Sequence, residues 1–520
     1  MRFHLGAWLA LAWLWLPGLT RGAEPPPPPK PTLTSEAVAA AVQTVQSLAR
    51  KSIQDRAVPG IAIAVVFEDR LVWAGGFGVR DAATGALVDA DTVFQLASVS
   101  KPLASTVVAA LVGEGRISWD SRISDLDPAF EMNDPWITRE VTVGDLFSHR
   151  SGLPDHAGDL LEDLGFSRDE VLRRLRHQKG GGAFRASYAY TNFGLTEAAV
   201  AAVKPYGLDW EEASRARLYA PLGMASTSSR HADFLARPDR ALGHVKQSGR
   251  WVAKYDRDPD PQSPAGGASS SVNDLAKWMR LQLADGTFEG RRIVDAAALT
   301  QTHLPQMRTG ASPLTGAPQF YGFGWNVNYD EQGRLRLSHS GAFALGASTT
   351  VALVPAEKLG VVVLANATPV GVAEALAFTF VDQALHGGQT QDWPALFAKI
   401  FADPASLGVF PGFDYAKRPA SPSPALASRA YAGTYANDYF GRAEVAERGG
   451  RLVLTIGPRG MAFPLTPYDR DTFTYRTTGE NAVGLTGATF TLGPDGKATT
   501  LTLEALNEHG DGVFKREAAP

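Results

Sequence analysis

The sequence predicts an α+β fold in which helices flank one antiparallel sheet, an all-helical subdomain interrupts the sheet along the chain, and a small all-β barrel domain follows. Three observations lead to this prediction. A helix and a β-hairpin come first, apolar strands return after residue 334, and short alternating strands occupy roughly the last 90 residues. The 520 residues, 44% of them hydrophobic, are enough to build a large core in each unit.

The first 23 residues have the order of a secretory signal peptide. Arg2 precedes an apolar run from Leu5 to Leu19, and small residues continue up to Ala23. Residues 24–33 are a proline-rich linker that favours extended polyproline II. No later segment is long and apolar enough to span a bilayer, so we expect a soluble mature protein that is periplasmic or secreted. The alternative is an uncleaved membrane anchor.

Residues 34–388 form the predicted main domain. It opens with a helix over Ser35–Arg56, whose apolar residues recur at helical spacing, and with two β-prone runs joined by a polar turn at Glu68-Asp69-Arg70. From about residue 117 to residue 262 the pattern changes to short helices and polar loops, which we interpret as the helical insertion. The returning strands and the closing helix are predicted over Leu335–His339, Ser348–Val354, Gly360–Leu364 and Val372–Leu385.

The C-terminal part divides in two. Residues 389–428, rich in proline, alanine and serine, are predicted to be a linker with some local helix. Residues 429–520 carry short alternating strands typical of a small barrel or sandwich, and Gly493-Pro494-Asp495-Gly496 has the composition of a hairpin turn. The oligomeric state stays open, because an edge strand of this domain can pair with another chain or be covered.

Composition excludes several classes of function. The net charge of −4, without a strong basic run, argues against nucleic acid as a partner. The absence of cysteine excludes disulfides, a thiol nucleophile and cysteine metal ligands. The histidines outside the motifs show no i, i+4 pair on one predicted helix and no adjacent acidic cluster, so we expect no zinc site.

Ser98 and Lys101 form the one Ser-x-x-Lys of the chain. On a helix, residues three apart share a face, so the Lys101 amine can reach the Ser98 hydroxyl and either stabilise its alkoxide or take its proton. A helix N-terminus also supplies N–H groups where an oxyanion would form. Pro102 is expected to distort the first helical turn. Because the tetrapeptide is common by chance, other motifs must support this nucleophile.

A second motif, Tyr190-Thr191-Asn192, lies in the helical insertion. A phenol near a cation can ionise and act as a base, and an amide can bind a substrate carbonyl. Tyr435-Ala436-Asn437 repeats the pattern at the start of the C-terminal β domain, where we expect a structural role.

The third motif is His339-Ser340-Gly341, which has predicted strands on both sides. Glycine at a strand edge lets a substrate backbone approach closely, and the next N–H group, that of Ala342, can point into an oxyanion hole. Two other segments share the pattern, His156-Ala157-Gly158 and His386-Gly387-Gly388. The first precedes Tyr190 in the helical insertion, and the second ends the predicted closing helix.

Ser98-Val99-Ser100-Lys101, Tyr190-Thr191-Asn192 and His339-Ser340-Gly341, in this order, resemble the three active-site motifs of the serine β-lactamase and penicillin-binding-protein superfamily. The tyrosine form of the second motif is similar to the class C branch, which includes class C β-lactamases, D-alanyl-D-alanine carboxypeptidases, D-aminopeptidases and family VIII esterases. Flanking segments agree, among them Ser148 to Pro154 and Tyr321 to Trp325. The resemblance covers about residues 34–388 and implies a β-lactamase/transpeptidase-like fold.

The resemblance also implies a role for each matched position. Ser98 would be the acylated nucleophile, Lys101 its proton partner, Tyr190 the base and Asn192 a ligand of the substrate amide. His339, Ser340 and Gly341 would bind substrate, and the N–H groups of Ser98 and Ala342 would form the oxyanion hole. At the position of His339, class C β-lactamases typically carry lysine. Since histidine can be uncharged at neutral pH, this departure weakens the case for β-lactam hydrolysis.

We therefore expect an exported serine hydrolase that cleaves a small-molecule or peptide ester or amide, of the esterase or D-amino-acid peptidase type, without metal or cofactor. The alternatives are a β-lactamase and a catalytically idle binding protein on the same fold. The C-terminal region, opened by Tyr431-Ala432-Gly433-Thr434-Tyr435, resembles the lipocalin-like β domain found after some hydrolases of this group. It is expected either to narrow the active-site cleft or only to pack against the main domain.

Overall fold

The computed structural model of the chain describes residues 32–312, 316–403 and 412–518. The predicted signal peptide and most of the predicted proline-rich linker lie outside the described residues. The first elements are α1 (Ser35–Gln54), β1 (Gly60–Phe67), β2 (Arg70–Asp81), β3 (Ala86–Leu87), β4 (Phe94–Gln95) and α2 (Ser100–Gly113).

The first helix and hairpin form as their sequences predict. Thr34 caps α1, because its side chain accepts a hydrogen bond from the N–H group of Ala37. The β1–β2 turn places Glu68 and Asp69 at φ 47° and 59°. Positive φ at both turn residues matches the right-handed twist of the two strands, as in a two-residue hairpin loop. All eight residues of β1 are buried, so this strand is central to the sheet.

The helical subdomain follows. Its elements are α3 (Ile123–Leu126), α4 (Pro135–Glu140), α5 (Val143–Phe147), α6 (Asp159–Asp163), α7 (Arg168–Arg174), α8 (Asn192–Val203), α9 (Trp210–Ser214), α10 (Ala220–Leu222), α11 (His231–Ala236), the hairpin β5 (Val245–Gln247) and β6 (Arg250–Val252), and α12 (Ser263–Gly266). The hairpin corrects the prediction of an all-helical insertion. Its strands are only three residues long, which is too short for alternation to be visible in the sequence.

The chain then returns to the sheet through β7 (Ser269–Ser270), α13 (Val272–Leu283), β8 (Thr287–Phe288), β9 (Arg291–Arg292), α14 (Ala296–Thr302), β10 (Met307–Ala311), β11 (Pro318–Tyr321), β12 (Asn326–Tyr329), β13 (Leu335–Phe343), β14 (Ala347–Val354), β15 (Leu359–Ala365), α15 (Val372–His386) and α16 (Trp393–Ala402). The nine-stranded sheet has the order β10-β11-β12-β13-β14-β15-β1-β2-β3, and its named strand pairs are antiparallel. Sequence analysis missed β10 to β12, because proline, glycine and polar residues interrupt their short runs.

Helices cover both faces of this sheet. On one face, α1 and α15 pack on alternate residues of the central strands, including Ile63, Val361 and Val363. On the other face, the intervening residues, among them Ala64 and Val362, join the larger core that contains α2 and α13. The alternation follows from the two-residue period of a strand. The buried helix α2, which begins directly after the Ser98 turn, is thereby held between the sheet and the helical subdomain.

The C-terminal domain consists of β16 (Gly433–Asn437), β17 (Gly441–Arg448), β18 (Arg451–Ile456), β19 (Met461–Pro464), β20 (Thr466–Asp469), β21 (Thr472–Arg476), β22 (Leu485–Leu492), β23 (Ala498–Leu503) and β24 (Val513–Arg516). Their order is β19-β18-β17-β16-β24-β23-β22-β21-β20. The two edge strands, β19 and β20, are joined through the single residue Leu465, so the sheet curls into a nearly closed antiparallel barrel. This confirms the predicted small barrel and decides against a sandwich.

Within the described ranges, no helix combines the length and apolarity that crossing a bilayer requires.

Candidate active site

Ser98 lies in a tight turn between the sheet and the buried helix α2. Residues Ala97–Val99 form a 3₁₀ turn, and the α-helix begins only at Ser100. Ala97 adopts φ 46°, a left-handed conformation that residues with a Cβ rarely adopt. The side chains of Ala97 and Val99 are fully buried, whereas Ser98 is partly exposed. The buried neighbours thus hold the turn in place while the Ser98 hydroxyl stays accessible.

Lys101 is fully buried beside Ser98. Its Nζ lies 3.0 Å from Ser98 Oγ, 2.6 Å from Asn192 Oδ1 and 3.1 Å from the Ala265 carbonyl oxygen. Burial lowers the pKa of Lys101 to about 7, although the charge of Asp159 opposes the shift. A large fraction of the amine is therefore neutral at neutral pH and can accept a proton.

Tyr190 also contacts Ser98. Its hydroxyl donates a hydrogen bond to Ser98 Oγ over 2.8 Å, and its ring lies 4.5 Å from Lys101 Nζ. Burial raises the pKa of the phenol well above its ordinary value, despite the hydrogen bond to Ser98. The phenol is therefore neutral at neutral pH. Because the pKa of Lys101 is lowered and that of Tyr190 is raised, Lys101 is the better acceptor for the serine proton.

Asn192 is the first residue of α8. Its Oδ1 accepts the hydrogen bond from Lys101, and its Nδ2 donates to Asp159 Oδ2 over 2.8 Å. Both ends of the amide thus have protein partners, so the predicted substrate amide would have to compete with them.

Gly341 brings strand β13 into contact with the nucleophile turn. A Cβ atom at this position would lie 2.2 Å from the Leu96 carbonyl oxygen and 2.8 Å from the Ser98 backbone nitrogen. Only glycine permits this approach. Since β12 pairs with β13 only as far as Ser338, the following edge, which includes the exposed Ala342, is left open beside Ser98.

His339 is buried with both ring nitrogens engaged. Nδ1 donates to the Ser340 carbonyl oxygen over 2.7 Å, and Nε2 accepts from the Tyr321 hydroxyl over 2.8 Å. Burial, reinforced by the charge of Lys101, lowers the pKa of His339 to about 3. The imidazole is therefore neutral and supplies no cation to a substrate carboxylate.

Ser340 requires a correction to its predicted role. Successive strand residues face opposite sides, so its side chain points away from Ser98. Its Oγ lies 3.2 Å from Thr350 Oγ1, and it hydrogen-bonds the buried Glu374 of α15. Only the main chain of Ser340 can therefore meet a substrate on the Ser98 side.

Two of the three competing motifs lie away from Ser98, whereas His156 is a neighbour of Tyr190. Tyr435 is buried in the barrel, where its hydroxyl donates to the Tyr431 carbonyl oxygen over 2.5 Å. His386 ends α15 ahead of Gly387, whose φ of 69° is that of a helix C-cap.

Sequence reasoning missed three neighbours of the site. Asp159 accepts hydrogen bonds on Oδ2 from Asn192 and from His156 Nδ1, the latter over 2.9 Å. The His149 ring packs against Tyr190 at 4.5 Å between centroids. His149 lies within the segment Ser148 to Pro154, which was noted for its resemblance to the family, and His156 and Asp159 follow it, but nothing in their spacing relates them to Ser98.

No group of three potential metal ligands, drawn from His, Asp and Glu, occurs within residues 32–312, 316–403 and 412–518.

Comparison with known proteins agrees with this geometry. The family model described as Beta-lactamase matches residues 45–386, and a domain of unknown function, DUF3471, matches residues 417–513. The chain therefore belongs to the Beta-lactamase family, within the superfamily of serine β-lactamases and penicillin-binding proteins.

Among its relatives is penicillin-binding protein 4 of Amycolatopsis lactamdurans, 30% identical over 366 residues that cover 68% of this chain and 92% of the relative. An unguisins hydrolase of Aspergillus violaceofuscus is 27% identical over 426 residues, covering 75% of this chain and 73% of that protein.

The octameric penicillin-binding protein homologue of Pyrococcus abyssi has a similar structure. The TM-score is 0.58 at 21% identity, over 89% of this chain and 98% of the other. The likeness extends over both domains and establishes the fold.

Proposed function

We propose that this protein is an exported serine hydrolase of the class C type, which cleaves an ester or amide through an acyl-enzyme on Ser98. One observation carries the proposal. Ser98 Oγ lies 3.0 Å from a buried lysine amine and 2.8 Å from a phenol hydroxyl, a constellation in which a serine is activated and its proton has an acceptor. The nearly closed barrel supports the lipocalin-like assignment of the C-terminal domain.

In acylation, the Ser98 oxygen attacks the carbonyl carbon while its proton passes to neutral Lys101. The carbonyl oxygen becomes an oxyanion, for which the N–H groups of Ser98 and Ala342 are the proposed donors. When the tetrahedral intermediate collapses, the bond to the leaving group breaks and the leaving group takes a proton, delivered from Lys101 through the Tyr190 hydroxyl. The acyl-enzyme remains.

In deacylation, a water molecule takes the place of the leaving group. Lys101 accepts its proton as the water oxygen bonds to the acyl carbon. The Ser98 ester bond then breaks, the serine oxygen takes that proton back, and the acid product leaves.

The site favours an ester or D-amino-acid peptide over a β-lactam. The position that is typically lysine in class C β-lactamases is here the neutral, fully hydrogen-bonded His339, so a substrate carboxylate would find no cation there. The similarity to an unguisins hydrolase supports a hydrolase, and the similarity to a penicillin-binding protein is compatible with a peptide substrate.

The test combines fluorophosphonate labelling, followed by intact-protein mass spectrometry, with turnover of p-nitrophenyl butyrate, a D-alanyl p-nitroanilide and nitrocefin. Ser98→Ala should abolish labelling and turnover. The matched control is Ser105→Ala, because Ser105 lies on α2, the helix that follows the Ser98 turn, and its buried Oγ makes no hydrogen bond within the described part of the chain. It should label as the wild type does.

Each outcome separates the alternatives. Fast ester turnover marks an esterase, and preference for the anilide marks a D-peptidase. Rapid nitrocefin hydrolysis would establish a β-lactamase instead. Absence of labelling in the wild-type protein would favour the idle binding protein. Export is tested in the same preparation, since cleavage near residue 23 and recovery from the periplasm or medium are expected.

A further inference from the structure

We propose that Asp159 and His156 are positioning residues of the active site, which orient the Asn192 amide towards Lys101 and set the balance of charge around the lysine. The inference rests on the proposed acylation of Ser98. It concerns two side chains that belong to none of the three active-site motifs and take part in none of the proposed chemical steps.

A continuous line of hydrogen bonds joins the nucleophile to these residues. Lys101 Nζ lies 3.0 Å from Ser98 Oγ and 2.6 Å from Asn192 Oδ1. Asn192 Nδ2 donates to Asp159 Oδ2 over 2.8 Å, and His156 Nδ1 lies 2.9 Å from the same oxygen. Asp159 is only 4% exposed, whereas the side chain of His156 is 52% exposed. The line therefore runs from solvent to the buried lysine.

The carboxylate decides which way the Asn192 amide points. An amide can turn its oxygen or its nitrogen towards a neighbour, but an ionised carboxylate only accepts hydrogen bonds. Asp159 therefore holds the Nδ2 end, and the Oδ1 end is left to accept from Lys101. Without that carboxylate, the amide can turn its donor towards the lysine and repel it.

His156 is held in place at both ends. Its backbone N–H donates to the Tyr190 carbonyl oxygen over 2.8 Å, which ties it to the loop before α8 that carries the phenol. Burial alone would lower the pKa of His156, but the hydrogen bond and charge of Asp159 raise it to about 9. The imidazole is therefore a cation at neutral pH, and it partly neutralises Asp159.

Asp159 and His156 dominate the electrostatic potential at Lys101. Burial lowers the pKa of His149 well below its ordinary value and that of His339 to about 3, so both rings are neutral, and the Tyr190 phenol is neutral as well. Asp155 lies on the solvent side, with Oδ2 3.9 Å from His156 Nε2. The negative Asp159 favours the ammonium form of Lys101, and the positive His156 opposes it.

The experiment measures the second-order rate of fluorophosphonate labelling of the full chain from pH 5 to pH 9. The acid limb reports deprotonation of Lys101 and should have its midpoint near the pKa of about 7. In Asp159→Asn, an amide oxygen can still accept from Asn192, and the amide nitrogen can replace Oδ1, which makes no hydrogen bond within the described residues. Loss of the negative charge should lower the midpoint, but by less than one pH unit, because His156 loses the carboxylate that raises its own pKa and with it part of its positive charge.

His156→Asn should shift the midpoint in the opposite direction, upwards by about one unit, because it removes the positive charge. The substitution suits the backbone, since His156 has φ 56° and asparagine tolerates left-handed geometry. The asparagine amide also retains a donor near the position of Nδ1. The control Asp155→Asn removes an exposed carboxylate that makes no hydrogen bond to Asn192 and should give a much smaller shift than Asp159→Asn.

Opposite shifts in the two variants, with thermal melting close to that of the wild type, establish the proposal. Unchanged midpoints, or shifts in the same direction, overturn it even if labelling slows, because a purely structural role would change the rate without changing the midpoint. Absence of labelling in the wild type would instead refute the acylation of Ser98, so the two failures are distinguishable.

Discussion

Gly341 shows how a single residue can join two parts of the active site. Its α-carbon lies so close to the Ser98 turn that an added methyl group would meet two backbone atoms, Leu96 O and Ser98 N, as well as Oγ1 of Thr349. Backbone atoms cannot move aside as the end of a flexible side chain can. Gly341 therefore lets β13 pack against the Ser98 turn and keeps the nucleophile in its place.

We predict that Gly341→Ala destabilises the protein and displaces Ser98. Overpacking of this kind typically costs about 1 to 3 kcal/mol in the free energy of unfolding. Urea unfolding measures the cost, and fluorophosphonate labelling measures the displacement of Ser98. Gly388→Ala is the matched control, because an added Cβ there meets open space, and it should be neutral within about 0.5 kcal/mol. Wild-type labelling by Gly341→Ala would contradict the close approach.

At the scale of elements, the segment after α5 positions Tyr190. Asp145 of α5 is fully buried, and its carboxylate accepts hydrogen bonds from Arg150 over 2.8 Å and from Arg185 over 2.8 Å. The two arginines belong to segments that continue towards the site, where Ala189 N donates to the His149 carbonyl oxygen over 2.9 Å. The short helix α5 thus acts as an anchor for two loops.

We predict that Asp145→Ala lowers the free energy of unfolding by about 1.5 to 3 kcal/mol at pH 7, because it removes the charged hydrogen bonds between a buried carboxylate and two partly exposed arginines. Burial alone would raise the pKa of Asp145, but the hydrogen bonds from Arg185 and Arg150 lower it. The stabilisation should therefore be present above the unfolded pKa of about 4 and be lost as the pH falls below it.

Urea unfolding at several pH values checks this expectation. Glu331→Ala, which removes an exposed carboxylate from the turn after β12, should change the free energy by no more than about 0.5 kcal/mol. Equal effects of the two variants would show that the Asp145 ion pairs do not anchor the loops.

At the scale of the whole molecule, a loop of the barrel docks beside the active site. The Glu480 carboxylate accepts hydrogen bonds from the N–H groups of Ala344 and Leu345, which follow β13 directly. Asp163 of α6 accepts from the N–H groups of Glu480 and Asn481 over 3.0 and 2.7 Å. The barrel therefore contacts both the sheet strand and the helix that flank the nucleophile.

We predict that this docking weakens as the pH rises. Burial, opposed by the charge of Arg257, raises the pKa of Glu480 to about 7. The folded protein then binds more protons than the unfolded chain between about pH 4.5 and pH 7, so this carboxyl's contribution to stability falls as the pH rises across that window. Glu480→Gln should flatten the dependence of the melting temperature on pH.

Thermal melting between pH 4.5 and pH 8 measures the slope. Glu444→Gln on the exposed side of β17 is the control and should keep the wild-type slope. Parallel curves for wild type and Glu480→Gln would contradict a titrating contact between the domains.

The sequence by itself determined most of the architecture and the central residues of the site. Helical periodicity predicted α1, β-branched runs predicted β13 to β15, and alternation predicted the barrel, because each pattern reports the burial of one local face. The Ser98, Tyr190 and His339 motifs were recognisable from residue type and spacing, and the structure brings all three into one site.

Only the tertiary structure decided the remainder. Short strands such as β5, β6 and β10 to β12 depend on pairing with distant segments, which their own composition does not encode. The neutral state of His339, the orientation of Ser340 and the contacts of Asp159 likewise arise from residues far apart in the chain. Burial and neighbouring charge set these properties, and both exist only after the chain has folded.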